Sequence, residues 1–497
     1  MEMGLLPDST AVIASLTDAP EPGRLEELAS QADILEVRAD LFEPLDLATW
    51  RRAFPGRWLY TLRSREEGGK DSRSPAERRE LLHRAALEYD LVDLEQADLE
   101  PETLEVVPVE KRLLSWHGSP SGFDELQRSA HRLLETPAHW YKVVIWADSS
   151  GPSRWPLVLL GGLGRDDVIA FAAGEPGRWS RLVAPMLGSP AVFTAAGPVA
   201  AASGQPPVEQ LHRDFCWPLP EEISWLFGVV GNPVAHSLSP YLFNRALREL
   251  EIPALYVPFH VENFGEFWLD LVEEEVGAES GYSLRGLSVT APDKRIAMAV
   301  AGATSPLTER IGSANTLVNR EGVWEADSTD AEGVLGPLRR RQVVVRGLRA
   351  AVLGAGGAGR AAAFALASAG AEVEMFNRGA ERGARAAAEL KLPCLPWGDF
   401  DPSAFDIVAQ ATPLGRSADD PLPCEPTEMK PDAIGLDLVY LREGPTPWVA
   451  ALRAADRTGI DGREVLLHQA IPQFAAMTGQ EIPSALVGEF LVEMEAT

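Results

Sequence analysis

The sequence predicts an α/β protein: a (β/α)₈ barrel followed by a second unit that holds a dinucleotide. Three observations carry this expectation. Short apolar runs alternate with helical stretches through the first half, and a glycine pattern in the second half lies between a strand and an Ala-rich helix. The length of 497 residues also exceeds what one hydrophobic core usually organises. Charge then narrows the partners, because 45 Lys plus Arg against 73 Asp plus Glu leave a net −28. Such a field repels phosphate backbones and anionic membranes, so the expected partners are small molecules, not nucleic acid or membrane, and an anionic substrate must be caught by a few locally placed cations. The three cysteines, Cys216, Cys394 and Cys424, are too few and scattered for a disulfide framework or a Cys-rich zinc site, and no metal is expected. The first residues carry no basic leader, and no apolar run approaches the ~18 residues that span a bilayer. The expected location is the cytoplasm; oligomeric state is left open.

The first half, residues 1–215, supplies the barrel. Its runs are TAVIASL, DILEVRADL, WLYTLRS, YDLVDLE, KRLLSWH, WYKVVIWA, WPLVLLG, DVIAFAAG and AVFTAA, with helical stretches such as PAERRELLHRAALEY between several of them. Continuous apolar strands alternating with helices indicate parallel strands buried on both faces. Eight βα units of roughly 27 residues make a compact (β/α)₈ barrel; nine runs exceed eight, so one is something else or an extra strand. Polar residues cluster where the runs end, at a barrel's catalytic mouth: Glu36 and Arg38, Arg63, His117, and Lys142 inside an apolar run. Lys142 reads in two ways, as a strand-edge lysine reaching water with its ammonium, or as a desolvated amine of lowered pKa able to attack a ketone.

In their order, EVRAD (36–40), TLRSREEGG (61–69), SWHGSP (115–120), YKVVIWA (141–147), RWSRLVAPMLGSPAVFTA (178–195) and SGQPP (203–207) make this segment resemble the type I 3-dehydroquinate dehydratases. The resemblance implies a TIM barrel in which Lys142 forms a Schiff base with the substrate ketone, His117 moves the proton and Glu67 orients it. It places Arg181 on the substrate carboxylate and Glu36, Arg38, Arg63 and Gln205 on the ring and its hydroxyls. Ala201 stands where that family usually has a serine.

A Pro- and Trp-flanked stretch within 216–224 reads as a linker. The second unit then opens with WLFGVVGNPVAHSLSP, a strand, a turn, and Ser237 and Ser239 ahead of a helix. Each serine suits a helix N-cap, and the two beside His236 equally suit a carboxylate. GLSVTAPDK presents Lys294 after a strand, and IGSANTLV and DSTDAEG add Asn315 and Asp330. Then RAAVLGAGGAGRAAAFALASAGAEVEMFNRG reads strand, glycine loop, helix, strand, a Rossmann pattern with Gly354, Ala355, Gly356, Gly357, Ala358 and Gly359 in the loop. The second strand ends in Asn377 and Arg378 where an NAD site would carry an acid. An arginine attracts a 2′-phosphate, so NADP is the expected cofactor.

Together with LGAGGAGRAA, QATPLG, LDLVY and DGREVLLHQAIPQFAAMTG, these stretches resemble shikimate dehydrogenases from about residue 225 to the end. The resemblance implies Lys294 and Asp330 as the catalytic pair, with Ser237, Ser239, Thr290, Asn315, Tyr440 and Gln469 around the substrate and Thr412 near the nucleotide. Ser288 and Ser328 depart from the usual asparagines. The implied organisation is a shikimate dehydrogenase-like substrate lobe at 225–335, an NADP-binding Rossmann lobe at 336–460 and C-terminal helices at 461–497 returning to the substrate lobe. The first half then makes what the second consumes: dehydration of 3-dehydroquinate to 3-dehydroshikimate, followed by reduction to shikimate. Quinate as an alternative reductase substrate stays open.

Overall fold

The computed structural model describes residues 10–43, 47–220, 222–273, 283–417 and 419–496. Contacts divide the chain into two units, Met1–Leu226 with Pro253–Leu284, and Phe227–Ile252 with Arg285–Thr497.

The first unit contains eight strands: β1 (Ala11–Leu16), β2 (Ile34–Arg38), β3 (Arg57–Thr61), β4 (Leu91–Glu95), β5 (Arg112–Gly118), β6 (Trp140–Trp146), β7 (Val168–Ala173) and β8 (Ala191–Ala195). They form one sheet ordered β8-β1-β2-β3-β4-β5-β6-β7, parallel at each junction and coiled nearly to closure. The ninth apolar run, WPLVLLG, is not a strand but part of the helix Trp155–Leu163, with Pro156 in its first turn. A short, wholly apolar run has no period to tell a buried strand from a buried helix, and proline suits a helix start. The predicted helix after β3 is present as Pro75–Glu88, entered through a Ser74–Glu77 capping box.

Side chains alternate across each strand, and the inner face changes character along it. Ile13, Ile34, Leu59, Leu91, Leu113 and Ile169 form an apolar layer of the barrel core. Two residues further along the same strands stand Ser15, Glu36, Thr61, Asp93, Ser115 and Phe171, and then Arg38, Arg63, Glu95, His117 and Ala173 follow. The intervening residues Val12, Leu35, Trp58, Val92 and Leu114 are buried too, as strands covered on both faces require. The strand interior therefore supplies a packed floor, and the carboxyl ends carry the polar groups.

In the second unit a mixed sheet includes, in order, the strands Trp225–Gly231, Ser283–Val289, Thr316–Arg320, Val323–Asp327 and Ala303–Thr304. A second sheet is wholly parallel, ordered Cys394–Pro396, Glu372–Asn377, Arg349–Leu353, Ile407–Gln410, Ile434–Asp437 and Thr458–Ile460. The chain starts in its middle at Arg349–Leu353, winds out one way and then the other. That reversal opens a crevice at the carboxyl ends of Arg349–Leu353 and Ile407–Gln410, where doubly wound sheets bind ligands. The long helix Gly462–Thr478 packs on the helices Asp330–Arg340 and Ser239–Glu249.

Candidate active sites

One cavity at the barrel mouth gathers every first-half residue singled out from sequence: Glu36, Arg38, Arg63, Glu67, His117, Lys142, Arg181 and Gln205, with Ala201 beside them. Lys142 is 6% exposed and lies over the Phe193 ring, its Nζ 3.8 Å from the ring centroid and 3.9 Å from Glu36 Oε1. It does not reach water as a strand-edge lysine would. Burial, countered in part by Glu36 and Asp93, pulls its pKa from 10.5 to about 8. Although burial opposes its ionisation, the Lys142 and Arg38 cations hold Glu36 below its ordinary value, and hydroxyl donors from Ser15 and Thr61 fix its two oxygens.

His117 Nδ1 lies 2.9 Å from Glu67 Oε2, which also accepts the His117 backbone N–H and an Arg63 N–H, both at 3.1 Å. With Nδ1–H donated to Glu67, Nε2 is left as the basic nitrogen. Burial, reinforced by Arg63, Lys142, Arg38 and Arg181, keeps His117 well below its ordinary pKa, so it is a neutral base near pH 7. Burial also pushes Glu67 up to about 8, with Glu95 and Asp93 adding to the rise against the pull of Arg63. Lys142 loses its proton, and Glu67 gains the charge that aligns His117, over the same range. We therefore expect kcat/KM for imine-dependent turnover to climb from about pH 6 and level off above about pH 8; a flat profile would exclude a depressed lysine pKa.

Arg181, in the helix Arg178–Val183, is 2% exposed and stacks on Phe171 at 4.0 Å. Its Nε and Nη2 have no protein partner among the described residues. Burial, then Arg178, pulls it down to about 9. Two adjacent buried donors left open on a planar fork suit a carboxylate. Arg181→Lys keeps the charge but loses the fork, and is expected to raise KM for an anionic substrate about tenfold or more in steady-state assays; an unchanged KM would remove the carboxylate role. Arg63, by contrast, is spent on protein, donating to Glu95 at 3.0 Å, Ser115 at 2.8 Å and Asp93 at 2.5 Å. Sequence reading passed over Asp93, Glu95 and Ser115, although charges two apart in LVDLE carry the same signal as Glu36 and Arg38.

In the second unit Lys294 Nζ donates to Asp330 Oδ2 at 2.6 Å, and Asn315 Nδ2 donates to Asp330 Oδ1 at 3.0 Å. Asn315 also accepts the Thr329 N–H at 2.8 Å, so it orients the acid. Neither serine is the N-cap: that position is Leu238, without a side-chain cap, and Ser239 is the first helical residue; Ser237 Oγ accepts the Ser239 N–H at 3.2 Å in the turn before the helix and also meets the Tyr440 hydroxyl. Ser239 is buried, and Thr290 and Gln469 are half-buried, Thr290 beside Gly231 and Gln469 beside Gly333.

The glycine loop has the shape that close nucleotide approach requires. Gly354 has φ +108°, and a Cβ there would meet the Ala411 carbonyl oxygen at 2.9 Å and Thr412 Cγ2 at 3.3 Å. Among the described residues, apart from its chain neighbours, no atom lies within 4 Å of where a Cβ on Gly356 would stand, at the entry of the helix Gly357–Ser368. Asn377 Oδ1 accepts the Ala355 N–H at 3.1 Å, which makes it a support of the loop, while Arg378 is exposed beside it. A Cβ on Gly357 would touch Lys294 Cδ at 3.2 Å, so the loop and the aliphatic stem of Lys294 are neighbours. A Cβ on Gly359 would fall 2.1 Å from the Gly354 carbonyl oxygen. Gly359→Ala must displace the loop, and we expect at least about tenfold weaker nucleotide binding by fluorescence titration with the barrel reaction intact.

Residues 13–215 match the family model described as Type I 3-dehydroquinase, and residues 229–317 the model described as Shikimate dehydrogenase substrate binding domain. The shikimate dehydrogenase (NADP(+)) of Acidiphilium cryptum is 37% identical over 256 residues, covering 51% of this chain and 90% of that protein. That of Syntrophobacter fumaroxidans is 33% identical over 263 residues, covering 52% and 88%.

The chain belongs to the shikimate dehydrogenase family.

A further relative spans both halves: the chloroplastic bifunctional 3-dehydroquinate dehydratase/shikimate dehydrogenase of Arabidopsis thaliana is 28% identical over 517 residues, covering 95% of this chain and 81% of that protein. Of the two serines expected from the resemblance to depart from asparagine, Ser288 and Ser328, the structure accounts for one. Ser288 Oγ donates to Gln473 Oε1 at 2.7 Å, and Gln473 Nε2 donates to the Asn315 carbonyl and to Thr316 Oγ1, both at 2.9 Å. Gln473, which the sequence did not single out, thus ties Ser288 to the Asn315 strand. The Ser328 hydroxyl is buried without a partner among the described residues, and nothing explains its choice. At the barrel, Ala201 lacks a hydroxyl but still joins the mouth through its backbone, its N–H donating to Gln205 Oε1 at 3.0 Å and its carbonyl facing Arg38 Nη1 at 3.4 Å.

Proposed function

We propose that this chain performs two consecutive steps of the shikimate pathway: Schiff-base dehydration of 3-dehydroquinate to 3-dehydroshikimate in the barrel, then NADPH-dependent reduction to shikimate in the second unit. The observation that carries this reading is the co-occurrence in one chain of a desolvated Lys142 beside a His117–Glu67 couple and a separate Lys294–Asp330 couple beside a dinucleotide loop.

In the barrel the neutral Lys142 amine attacks the C3 carbonyl and water leaves, giving an iminium with Nζ. Arg181 holds the substrate carboxylate and Glu36 keeps the positive nitrogen company. The iminium acidifies C2, and His117 Nε2 takes a proton from it. The resulting enamine expels the C1 hydroxyl, which departs as water with the proton returned by His117. Hydrolysis of the imine releases 3-dehydroshikimate and restores Lys142.

In the second unit the open space above Gly356, the helix entry and exposed Arg378 fit an NADP pyrophosphate and 2′-phosphate, with Gly354 to Gly359, Asn377 and Thr412 as its cradle. Bound NADPH supplies the hydride. Lys294 donates a proton to the C3 oxygen as negative charge grows there, Asp330 keeps the ammonium aimed, and Asn315 keeps Asp330 in place. Ser237, Ser239, Thr290, Tyr440 and Gln469 surround the ring. We divide the chain at 216–224, between the barrel and the two reductase lobes of 225–335 and 336–460, with 461–497 closing on the first of these. Among the described residues no helix is long and apolar enough to cross a membrane, and we assign the enzyme to the cytoplasm. A direct check feeds 3-dehydroquinate and NADPH to the purified chain: stoichiometric shikimate and NADP are expected, and failure to consume NADPH when 3-dehydroshikimate is supplied instead would reject the reductase half.

A further inference from the structure

The proton-transfer couple of the barrel depends on a loop: Glu67 aligns His117, and residues 63–71 carry Glu67. Backbone bonds close this loop at its base. Asp71 N–H donates to the Arg63 carbonyl at 3.1 Å, Arg65 N–H to the Asp71 carbonyl at 3.2 Å and Gly69 N–H to the Ser64 carbonyl at 2.7 Å. The entering arm leans on Glu95, whose Oε1 accepts the Ser64 N–H at 2.8 Å and Arg63 Nη1 at 3.0 Å. The same Arg63 nitrogen reaches Glu67 Oε2 at 3.1 Å.

Arg78 joins these pieces from behind. It sits in the first turn of the helix Pro75–Glu88, is 7% exposed and is not one of the residues lining the cavity. Its Nη1 donates to Asp71 Oδ2 and to the Leu62 carbonyl, both at 2.8 Å. Its Nη2 donates to Glu95 Oε2 at 3.2 Å and to Asp98 Oδ2 at 2.7 Å, and its Nε to Asp98 Oδ1 at 3.1 Å. These bonds use every N–H of the guanidinium. The two-pronged pair with Asp98 would be enough to anchor the helix; the other donors go to both ends of the segment 62–71 and to the carboxylate that holds Arg63. Asp71, Glu95 and Asp98 are buried, so water does not compete for these contacts. A path Arg78–Glu95–Arg63–Glu67–His117 therefore runs from the helix to the base with no link longer than 3.2 Å.

We propose that Arg78 is a positioning residue of the barrel reaction: by fixing Asp71 and Glu95 it sets the place of Glu67, and through Glu67 the aim of His117 Nε2 at the C2 proton. Its donors are all spent away from Lys142 and the cavity, so it governs proton removal and not imine formation. A displacement of about 1 Å in a reacting group costs about 10²-fold in rate. The inference rests on the reading of the barrel as a Schiff-base dehydratase.

The test uses the full chain with Arg78→Met, Arg78→Lys and Asp71→Asn, fed 3-dehydroquinate without NADPH. We expect kcat to fall about 10²-fold in Arg78→Met and about tenfold in Asp71→Asn, with KM within about twofold, because Arg181 and Lys142 are untouched. Arg78→Lys keeps the charge but loses the fork and recovers only part of kcat. Borohydride added early in turnover reports which step is slowed, since imines trapped before and after elimination leave adducts on Lys142 that differ in mass by one water. The ratio of heavier to lighter adduct is expected to rise about tenfold in Arg78→Met and Asp71→Asn, as the amine still condenses while the C2 proton stays. A ratio equal to that of the unaltered chain, with total adduct falling in step with kcat, would reduce Arg78 to a structural tie and overturn the proposal, as would an unchanged kcat. Asp71→Asn, which keeps the side-chain volume and the backbone bonds, decides the matter should Arg78→Met fail to fold. If the unaltered chain gives no adduct on Lys142, the Schiff-base reading itself falls; if it gives adducts whose ratio the variants do not shift, only the role of Arg78 falls.

Discussion

Lys142→Ala is expected to lower dehydration of 3-dehydroquinate by at least about 10⁴-fold, because the covalent route loses its electron sink and no neighbouring group replaces it. The remaining cations at the cavity, Arg38, Arg63 and Arg181, are guanidiniums, which do not form imines at neutral pH. His117 and Glu67 would survive with their 2.9 Å contact, yet a base without an acidified C2–H has little to remove. Glu36 loses the nearer of its two cations in this variant and keeps only Arg38, so folding has to be checked independently. The second unit provides that check, since reduction of 3-dehydroshikimate by the same preparation should stay within about twofold of the unaltered chain. Parallel loss of both activities would mean unfolding or a shared site, and either would contradict the assignment.

The mirror experiment is Lys294→Ala. Reduction should fall about 10²–10⁴-fold, the usual range for removing a positioned proton donor, while dehydration continues. The 2.6 Å pair with Asp330 makes the loss larger than that of a lone lysine: the buried carboxylate would keep the Asn315 amide at 3.0 Å but lose its cation, and its charge would repel the developing alkoxide. Nucleotide affinity should weaken only modestly, because Lys294 meets the loop at Gly357 through its aliphatic stem. Retained reduction above about a tenth of the starting rate would show that another group protonates the oxygen.

Much of the architecture was legible in the chain because parallel strands buried on both faces must be continuously apolar, and eight such runs stood apart. The ninth failed for a physical reason: WPLVLLG is as apolar as a strand, and only Pro156 in its first turn hinted at a helix. In the barrel, polar residues at the ends of the apolar runs marked Glu36, Arg38, Arg63 and His117, and a charge inside a run marked Lys142; the structure gathers them at one cavity. The same reading applied to LVDLE would have found Asp93 and Glu95, the residues that consume Arg63. Partnerships were harder to read than positions. Asn315 sits in the second site, yet both ends of its amide serve Asp330 and Thr329. Arg442 Nη1 donates to the Ser237 carbonyl from 205 residues away, and nothing local to either predicts their meeting. Such pairings come from the winding of the sheet, not from the pattern of one segment.

Borohydride added during turnover of 3-dehydroquinate, followed by peptide mass mapping of the intact chain, puts the covalent role of Lys142 to the most direct trial. A reduced adduct confined to the peptide that contains Lys142, and absent from Lys142→Ala, is the result expected of a desolvated amine facing the substrate. An adduct on any other lysine, or full turnover with no trappable adduct, would contradict it.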